Sequence, residues 1–179
     1  MRDHIESEVK LHVPDAPRAR ALLAGVEAGL VRPRYLEDNL LFDDVSRSLT
    51  AVGRVLRVRR TPRRAWLTYK APIASQGCVK EREEIETEVD DPDALVKVLE
   101  RLGFSRAFRY QKYRELYSLA GTEVALDETP IGVYLEVEGE PEAIHAVAAR
   151  LGFGRADYIT ESYVGLFFAS GAQGDMVFR

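Results

Sequence analysis

The stretch "IESEVKLHV", residues 5–13, decides how the rest of the chain is read. Glu6, Glu8 and Lys10 stand two residues apart, with Ile5, Val9 and Leu11 among the intervening positions. Alternate side chains of a strand point to opposite faces, so one face here is apolar and the other carries two carboxylates and an ammonium. Either the charged face meets water or it meets a ligand. The same alternation recurs in every later strand-like segment, and the recurrence is what separates the two readings.

Arg57 and Arg59 share a face, as do Thr68 and Lys70, and Lys112 and Arg114. Arg82, Glu84, Glu86 and Glu88 form another charged row, Asp127 lies opposite Val124 and Leu126, and Glu136 and Glu138 close the series. A solvated antiparallel sheet alternates in the same way. Against that stands the near absence of Ser, Thr and Gln on these faces. Like charges also recur at i and i+2, about 7 Å apart, where they repel.

Three segments repeat a plan of strand, proline turn and amphipathic helix, beginning near residues 6, 83 and 133. The last two align at a fixed offset, Pro92 with Pro141 and Val98 with Val147, and end in "RLGFSRA" and "RLGFGRA". Pro92 and Pro141 suit a first helical turn, and Gly103 and Gly152 suit a helix end. Segments 54–60, 65–71, 110–118 and 122–128 read as further short strands joined by turn signals at 61–64, 118–122 and 128–132. The expected fold is α+β: seven or eight mostly antiparallel strands with about three helices. A sheet so large with such short connections removes its edges best by closing into a barrel. The helices need an apolar sheet face, so the apolar side is expected outside and the charged side within.

Such an interior gathers cations at Lys10, Arg57, Arg59, Lys70, Arg82, Lys112 and Arg114, and carboxylates at Glu6, Glu8, Glu84, Glu86, Asp127, Glu136 and Glu138. It is unstable without mutual pairing or a ligand that satisfies both signs. Guanidinium and ammonium groups suit phosphate oxygens. Carboxylates without His or Cys suit hard cations, Mg2+ or Mn2+ rather than zinc. Cations for phosphates and carboxylates for their metal are what phosphoryl transfer requires.

These residues also resemble a known signature. Glu-x-Glu-x-Lys at Glu6, Glu8 and Lys10, followed in order by "VLRVRR", "LTYK", "KEREEIETEV", "YQKYRE", "VALDE", "GVYLEVEG" and "SYVGLF", is similar to the CYTH superfamily of triphosphate tunnel metalloenzymes. The resemblance spans residue 6 to about 168 and implies a closed eight-stranded antiparallel tunnel. It implies catalysis by Lys10 with Glu6 and Glu8, and a triphosphate held by Lys10, Arg57, Arg59, Lys70, Arg82, Lys112 and Arg114. A divalent metal would be held by Glu6, Glu8, Glu84, Glu86, Asp127, Glu136 and Glu138. The family covers inorganic triphosphatases, thiamine triphosphatases and class IV adenylyl cyclases. Hydrolysis is the expected reaction, cyclisation of ATP to cyclic AMP the alternative, and a non-catalytic polyphosphate or nucleotide sensor the third reading.

The 179 residues suffice for one domain with a real core, expected over 1–170, with 171–179 as a frayed tail. A net charge of −4 gives no global reason to expect nucleic acid. The single cysteine, Cys78, excludes an internal disulfide framework and reads as inert. No signal peptide or membrane span is visible, so a cytoplasmic protein without a membrane partner is the expectation. A small-molecule triphosphate is the expected partner, and a homodimer is compatible with the sequence. No Walker loop or nucleophile elbow is present. His4, His12 and His145 show no triad spacing. Trp66 reads as packing that could alternatively meet a base or a lid, Tyr158 and Tyr163 as holding the last strand with closure of the tunnel as the alternative, and 71–80 as a connection that could form a lid.

Overall fold

The computed structural model describes residues 5–73 and 77–179. Its strands are β1 (Ile5–Val13), β2 (Gly29–Asp43), β3 (Val55–Arg60), β4 (Ala65–Pro72), β5 (Lys80–Val89), β6 (Ser105–Leu119), β7 (Thr122–Thr129), β8 (Gly132–Glu138) and the short β9 (Tyr158–Ile159). Helices α1 (Ala16–Gly25), α3 (Pro92–Arg101) and α4 (Pro141–Arg150) are the three expected from the repeats. Two shorter ones, α2 (Ser48–Ala51) and α5 (Tyr163–Ala169), were not foreseen.

The strands hydrogen-bond in the order β5-β4-β3-β2-β6-β7-β8-β1, and a further β1–β5 pairing closes them into an eight-stranded antiparallel ring. At that seam Glu6 lies opposite Arg82 and Glu8 opposite Lys80. Strand β1 also meets β8, with Glu8 opposite Glu138 and Lys10 opposite Glu136. Where β5 has ended, β9 takes over the same edge of β1, beside Lys10 and Leu11. Closure leaves the ring without a free long edge there.

Apolar side chains lie outside the ring, as the alternation required. Val9, Leu11, Val124, Leu126, Leu135 and Val137 are fully buried beneath Leu23 of α1 and Ile144 and Val147 of α4. Helix α3 covers the opposite flank, setting Leu99 against Phe42 and Val58. A third cluster, Phe108, Tyr110, Tyr134, Tyr163, Phe167 and Met176, brings α5 against inward-facing residues of β6 and β8.

All three repeat helices end in the same way. The backbone N–H of Ala28, Phe104 and Phe153 returns to the carbonyl of Leu23, Leu99 and Ala148, each at 2.9–3.0 Å. The residue before each is left-handed: Glu27 (φ 57°), Gly103 (φ 91°) and Gly152 (φ 89°). That is the Schellman closure, which favours glycine. Beyond it the repeats part: Ser105 begins β6, whereas Arg155–Asp157 forms a single 3-10 turn before β9.

Two expectations need correction. Residues 29–43 carry the longest unread element, the fifteen-residue β2. Pro33 and the run Glu37-Asp38-Asn39 have poor strand propensity, and they hid it. The ladder to β6 accommodates Pro33 at a register shift between Arg32 and Tyr35. Residues 171–179 do not fray throughout. Met176 is fully buried, and it exchanges backbone hydrogen bonds with β6, Met176 N–H to Arg109 O at 3.0 Å and Gln111 N–H to Met176 O at 2.9 Å. The proposed 71–80 lid includes residues 74–76, which lie outside the described set.

Candidate active site

The inward faces of the ring enclose a cavity of about 1020 Å3. Of the fourteen charged residues picked from the sequence, all but Asp127 line it. Each reaches it because strand alternation turns the intervening apolar residues outward against the helices.

Lys10 stands near the centre, 2.7 Å from Glu8 Oε1 and 3.1 Å from Glu136 Oε2. Burial alone would lower its proton affinity, but Glu136 and Glu8 outweigh burial and raise it. Lys10 is therefore a fixed cation. Arg114 bridges Glu136 at 2.7 Å and Asp127 at 2.6 Å. Lys112 reaches Asp127 at 3.0 Å. On the opposite wall Arg59 holds both oxygens of Glu86, at 2.7 and 2.9 Å. Arg57 donates to Thr68 Oγ1 at 3.2 Å, and Thr68 in turn donates to Glu86 at 2.7 Å. Lys70 contacts Glu6 and lies 3.0 Å from Glu84. Arg82 points to the rim, donating to the Gly53 carbonyl at 2.9 Å.

Asp127 is fully buried and spent on protein partners: Lys112, Arg114 and the Tyr163 hydroxyl, which donates to it at 2.8 Å. The charge balance is least complete elsewhere. No described cation lies within ion-pair reach of Glu138; burial, Glu6 and Glu136 push its carboxyl up to about 8. Burial likewise lifts Glu6 to about 7 against the pull of Lys70. Glu8 behaves oppositely: burial and Glu136 raise it, but Lys10, Lys80 and Lys70 prevail and lower it.

Among the described residues, no three acidic or imidazole groups stand gathered as a finished metal centre. The donor chemistry nevertheless fits a hard divalent cation. Glu138 has no described cation within ion-pair reach, and the adjoining Glu6, though Lys70 touches it, is lifted by burial, so an oxygen-seeking cation supplies what the pair lacks. Glu8 and Glu136 are close enough to join them, since Glu8 and Glu138 are paired across β1 and β8.

Sequence reasoning missed several lining or supporting residues. Lys80, 3.4 Å from Glu8, continues the charged row of β5 by one more alternate position and could have been found that way. Tyr163 on α5 carries Lys10 and Lys112 over its ring at 5.2 and 5.3 Å. Arg47 and Arg54, Phe108, Tyr110 and Phe168 also line the cavity. Glu37, 1% exposed, and the fully buried Asn39 sit on the unread β2. Trp66 packs under the Arg59 guanidinium at 5.0 Å. Tyr158 is peripheral, stacking on His145 and hydrogen-bonded to its Nδ1 at 3.0 Å. Cys78 Sγ lies 3.9 Å from His145 Nε2, away from the charged cavity. His12 is exposed at the end of β1 against Tyr134, and His4 lies outside the described residues.

Comparison with known proteins agrees with this geometry. The CYTH domain family matches residues 4–163. A Methanocaldococcus jannaschii protein, named provisionally as an adenylate cyclase, is 27% identical over 135 residues, 75% of this chain and 76% of its own. A solved Vibrio parahaemolyticus structure, also provisionally named an adenylate cyclase, superposes with a TM-score of 0.81 at 19% identity, covering 93% of this chain and 99% of that one. The PH1012 protein of Pyrococcus horikoshii gives a TM-score of 0.74 at 26% identity, with 89% and 97% covered. A Hippeastrum protein, provisionally named an adenylyl cyclase and described as revealing a dominant triphosphatase activity, gives 0.68 at 24% identity, with 94% and 97% covered. With a ring of eight antiparallel strands, both signs of charge inside it and a domain match over 4–163, this chain belongs to the CYTH family, an enzyme family of triphosphatases and class IV adenylate cyclases.

Proposed function

We propose that this protein hydrolyses a triphosphate in its charged cavity, with Mg2+ or Mn2+ as cofactor. The observation that carries the reading is the coexistence, in one enclosed space, of fixed cations and of carboxylates left short of positive charge. Phosphate binding alone needs only the cations. Glu6 and Glu138, with Glu8 and Glu136, have a purpose once a divalent ion accompanies the substrate.

Arg57, Arg59, Lys70, Lys112 and Arg114 grip the non-bridging oxygens, the arginines in bidentate fashion. Arg82 at the rim receives the entering phosphate chain. Lys10 does not exchange its proton near neutrality, so it acts as a positive charge beside the phosphoryl group in transfer, where preorganised charge has most effect. Glu6, its carboxyl lifted to about 7 by burial, would share the metal with the carboxylates beside it. Glu8, Glu136 and Glu138, with Glu84 and Glu86 beside them, would hold the metal. When bound, the metal offsets phosphate charge and polarises the scissile bond.

A second reading has its own observation. Leu41, Phe108, Val164 and Phe168 give the cavity an apolar flank, which inorganic triphosphate would leave uncontacted and an organic triphosphate would cover. If that moiety is adenosine, the ribose 3′-hydroxyl can replace water and yield cyclic AMP and pyrophosphate. The names of the Methanocaldococcus and Hippeastrum proteins span both outcomes.

One incubation series separates them. Purified protein with Mg2+ or Mn2+ is given inorganic triphosphate, thiamine triphosphate or ATP, and orthophosphate, pyrophosphate and cyclic AMP are followed. Orthophosphate without cyclic AMP supports hydrolysis. Cyclic AMP with pyrophosphate from ATP overturns it in favour of the cyclase. Tight binding without product overturns both in favour of a sensor.

A further inference from the structure

Two inward-facing carboxylates, Asp127 and Glu37, stand behind the cavity wall rather than on it. Asp127 is saturated by three donors. Glu37 is not. It is 1% exposed, yet its Oε2 has no hydrogen bond and its Oε1 accepts only the Tyr35 hydroxyl, at 3.2 Å. Its nearest cations, Lys112 and Arg59, stand 3.6 and 3.7 Å away, beyond hydrogen-bond length. A carboxylate at these distances makes no tight structural ion pair with any one partner. It is nevertheless firmly ionised. Burial opposes ionisation, but Lys112, Arg114, Arg59 and Arg57 together hold its carboxyl down at about 2. Those four are phosphate-gripping residues of the proposed reaction.

We propose that Glu37 is a positioning residue: a resident counter-ion behind the cation wall that limits how tightly phosphate anions are held and so lets product leave. The proposal rests on the triphosphate reading. A multiply charged triphosphate outcompetes one carboxylate at 3.6 Å for Lys112 and Arg59. The shorter, less charged product does so less well, and the resident charge favours its release. Catalysis gains from interactions made in the transition state and gains nothing from holding ground state and product equally well. A permanent negative charge behind the grip acts on the second class.

The test is Glu37→Gln, which keeps the side-chain shape and an acceptor for Tyr35 while removing the charge. Tripolyphosphate and orthophosphate binding are measured by calorimetry without divalent metal, so that turnover does not intervene, and steady-state kinetics are then run with metal. The expected result is at least tenfold tighter orthophosphate binding and a smaller tightening of tripolyphosphate, with KM and kcat both lower and stronger product inhibition. Glu37→Asp, whose shorter side chain withdraws the charge from Lys112 and Arg59, should tighten binding about threefold and serves if the glutamine variant does not fold. Folded variants with wild-type or weaker anion affinity overturn the proposal. Wild-type protein that binds no tripolyphosphate overturns the functional reading, and this inference with it.

Discussion

Glu8 and Glu138 face one another across β1 and β8, and the same substitution should affect them in opposite directions. Glu138 has no described cation within ion-pair reach, and burial with Glu6 and Glu136 raises its carboxyl to about 8. A group whose folded value is raised above its unfolded one contributes stability below the unfolded value and loses it as pH rises through the folded value. At pH 8 the metal-free protein therefore carries a strained Glu138. Glu138→Gln should raise its unfolding free energy by on the order of 2 kcal/mol, allowing for partial solvent access. Glu8 is the partner of Lys10 and Lys80, and Glu8→Gln should cost roughly 1–3 kcal/mol. Both should abolish turnover. Urea unfolding at pH 8 with a chelator distinguishes them, and equal shifts of one sign would refute the assignment. Asp127→Asn is a third case. It removes the charge that Lys112 pairs with at 3.0 Å and that Arg114 holds with two donors, and both cations are nearly buried, so a loss of roughly 3–5 kcal/mol is expected whether or not metal is present. A variant destabilised only when metal is added would mark Asp127 as a metal ligand instead.

At the scale of elements, the three repeat helices use one closing motif with unequal quality. Gly103 and Gly152 occupy the left-handed position, where a Cβ would meet nothing within 4 Å, so alanine there is penalised by backbone conformation alone. Glu27 holds the same position in α1 at φ 57°. Glu27→Gly should stabilise the protein by about 0.5–1 kcal/mol and Gly103→Ala should destabilise it by about 1 kcal/mol, both readable in thermal unfolding. Opposite signs at one motif position would show that the closure, not the sequence around it, sets the cost. The C-terminal segment makes a second case. Met176→Ala should cost roughly 2–5 kcal/mol, because the side chain is fully buried against β6 and α5. A change within error would mean that the tail frays after all. Most of this architecture was legible beforehand. Strict alternation in β1, β3 to β5, β7 and β8 gave their faces, and Pro92, Pro141, Gly103 and Gly152 gave two helices their ends. Strand β2 was illegible because Pro33 sits at a register shift and Glu37, Asp38 and Asn39 mimic a loop. The site suffered the same blind spot. Glu37 is lost with its strand, and Tyr163 reads first as structural, with tunnel closure second, because a seven-residue helix gives too little periodicity to orient it.

The whole molecule is an inside-out arrangement of charge, and its stability should be linked to what fills the ring. Closure joins residues 5–8 to 80–83 and residues 8–13 to 133–138, so the interior charges are brought together only when distant segments have met. Once assembled, Glu6 and Glu138, at about 7 and 8, bind protons in the folded chain that the unfolded chain has released. The metal-free protein should therefore lose stability as pH rises from about 6 to 9. A divalent cation competes for those same carboxylates and binds only the folded chain, so its stabilisation should grow over the same interval. Melting temperatures measured from pH 6 to 9, with chelator and with millimolar Mn2+, should diverge toward alkaline pH. Adding tripolyphosphate with the metal should raise them further, because the anion satisfies cations on the other side of the same balance. Parallel curves with and without metal would mean that the acidic half of the cavity is satisfied by its lysines and arginines alone, and the hydrolytic reading would then lose the observation on which it stands.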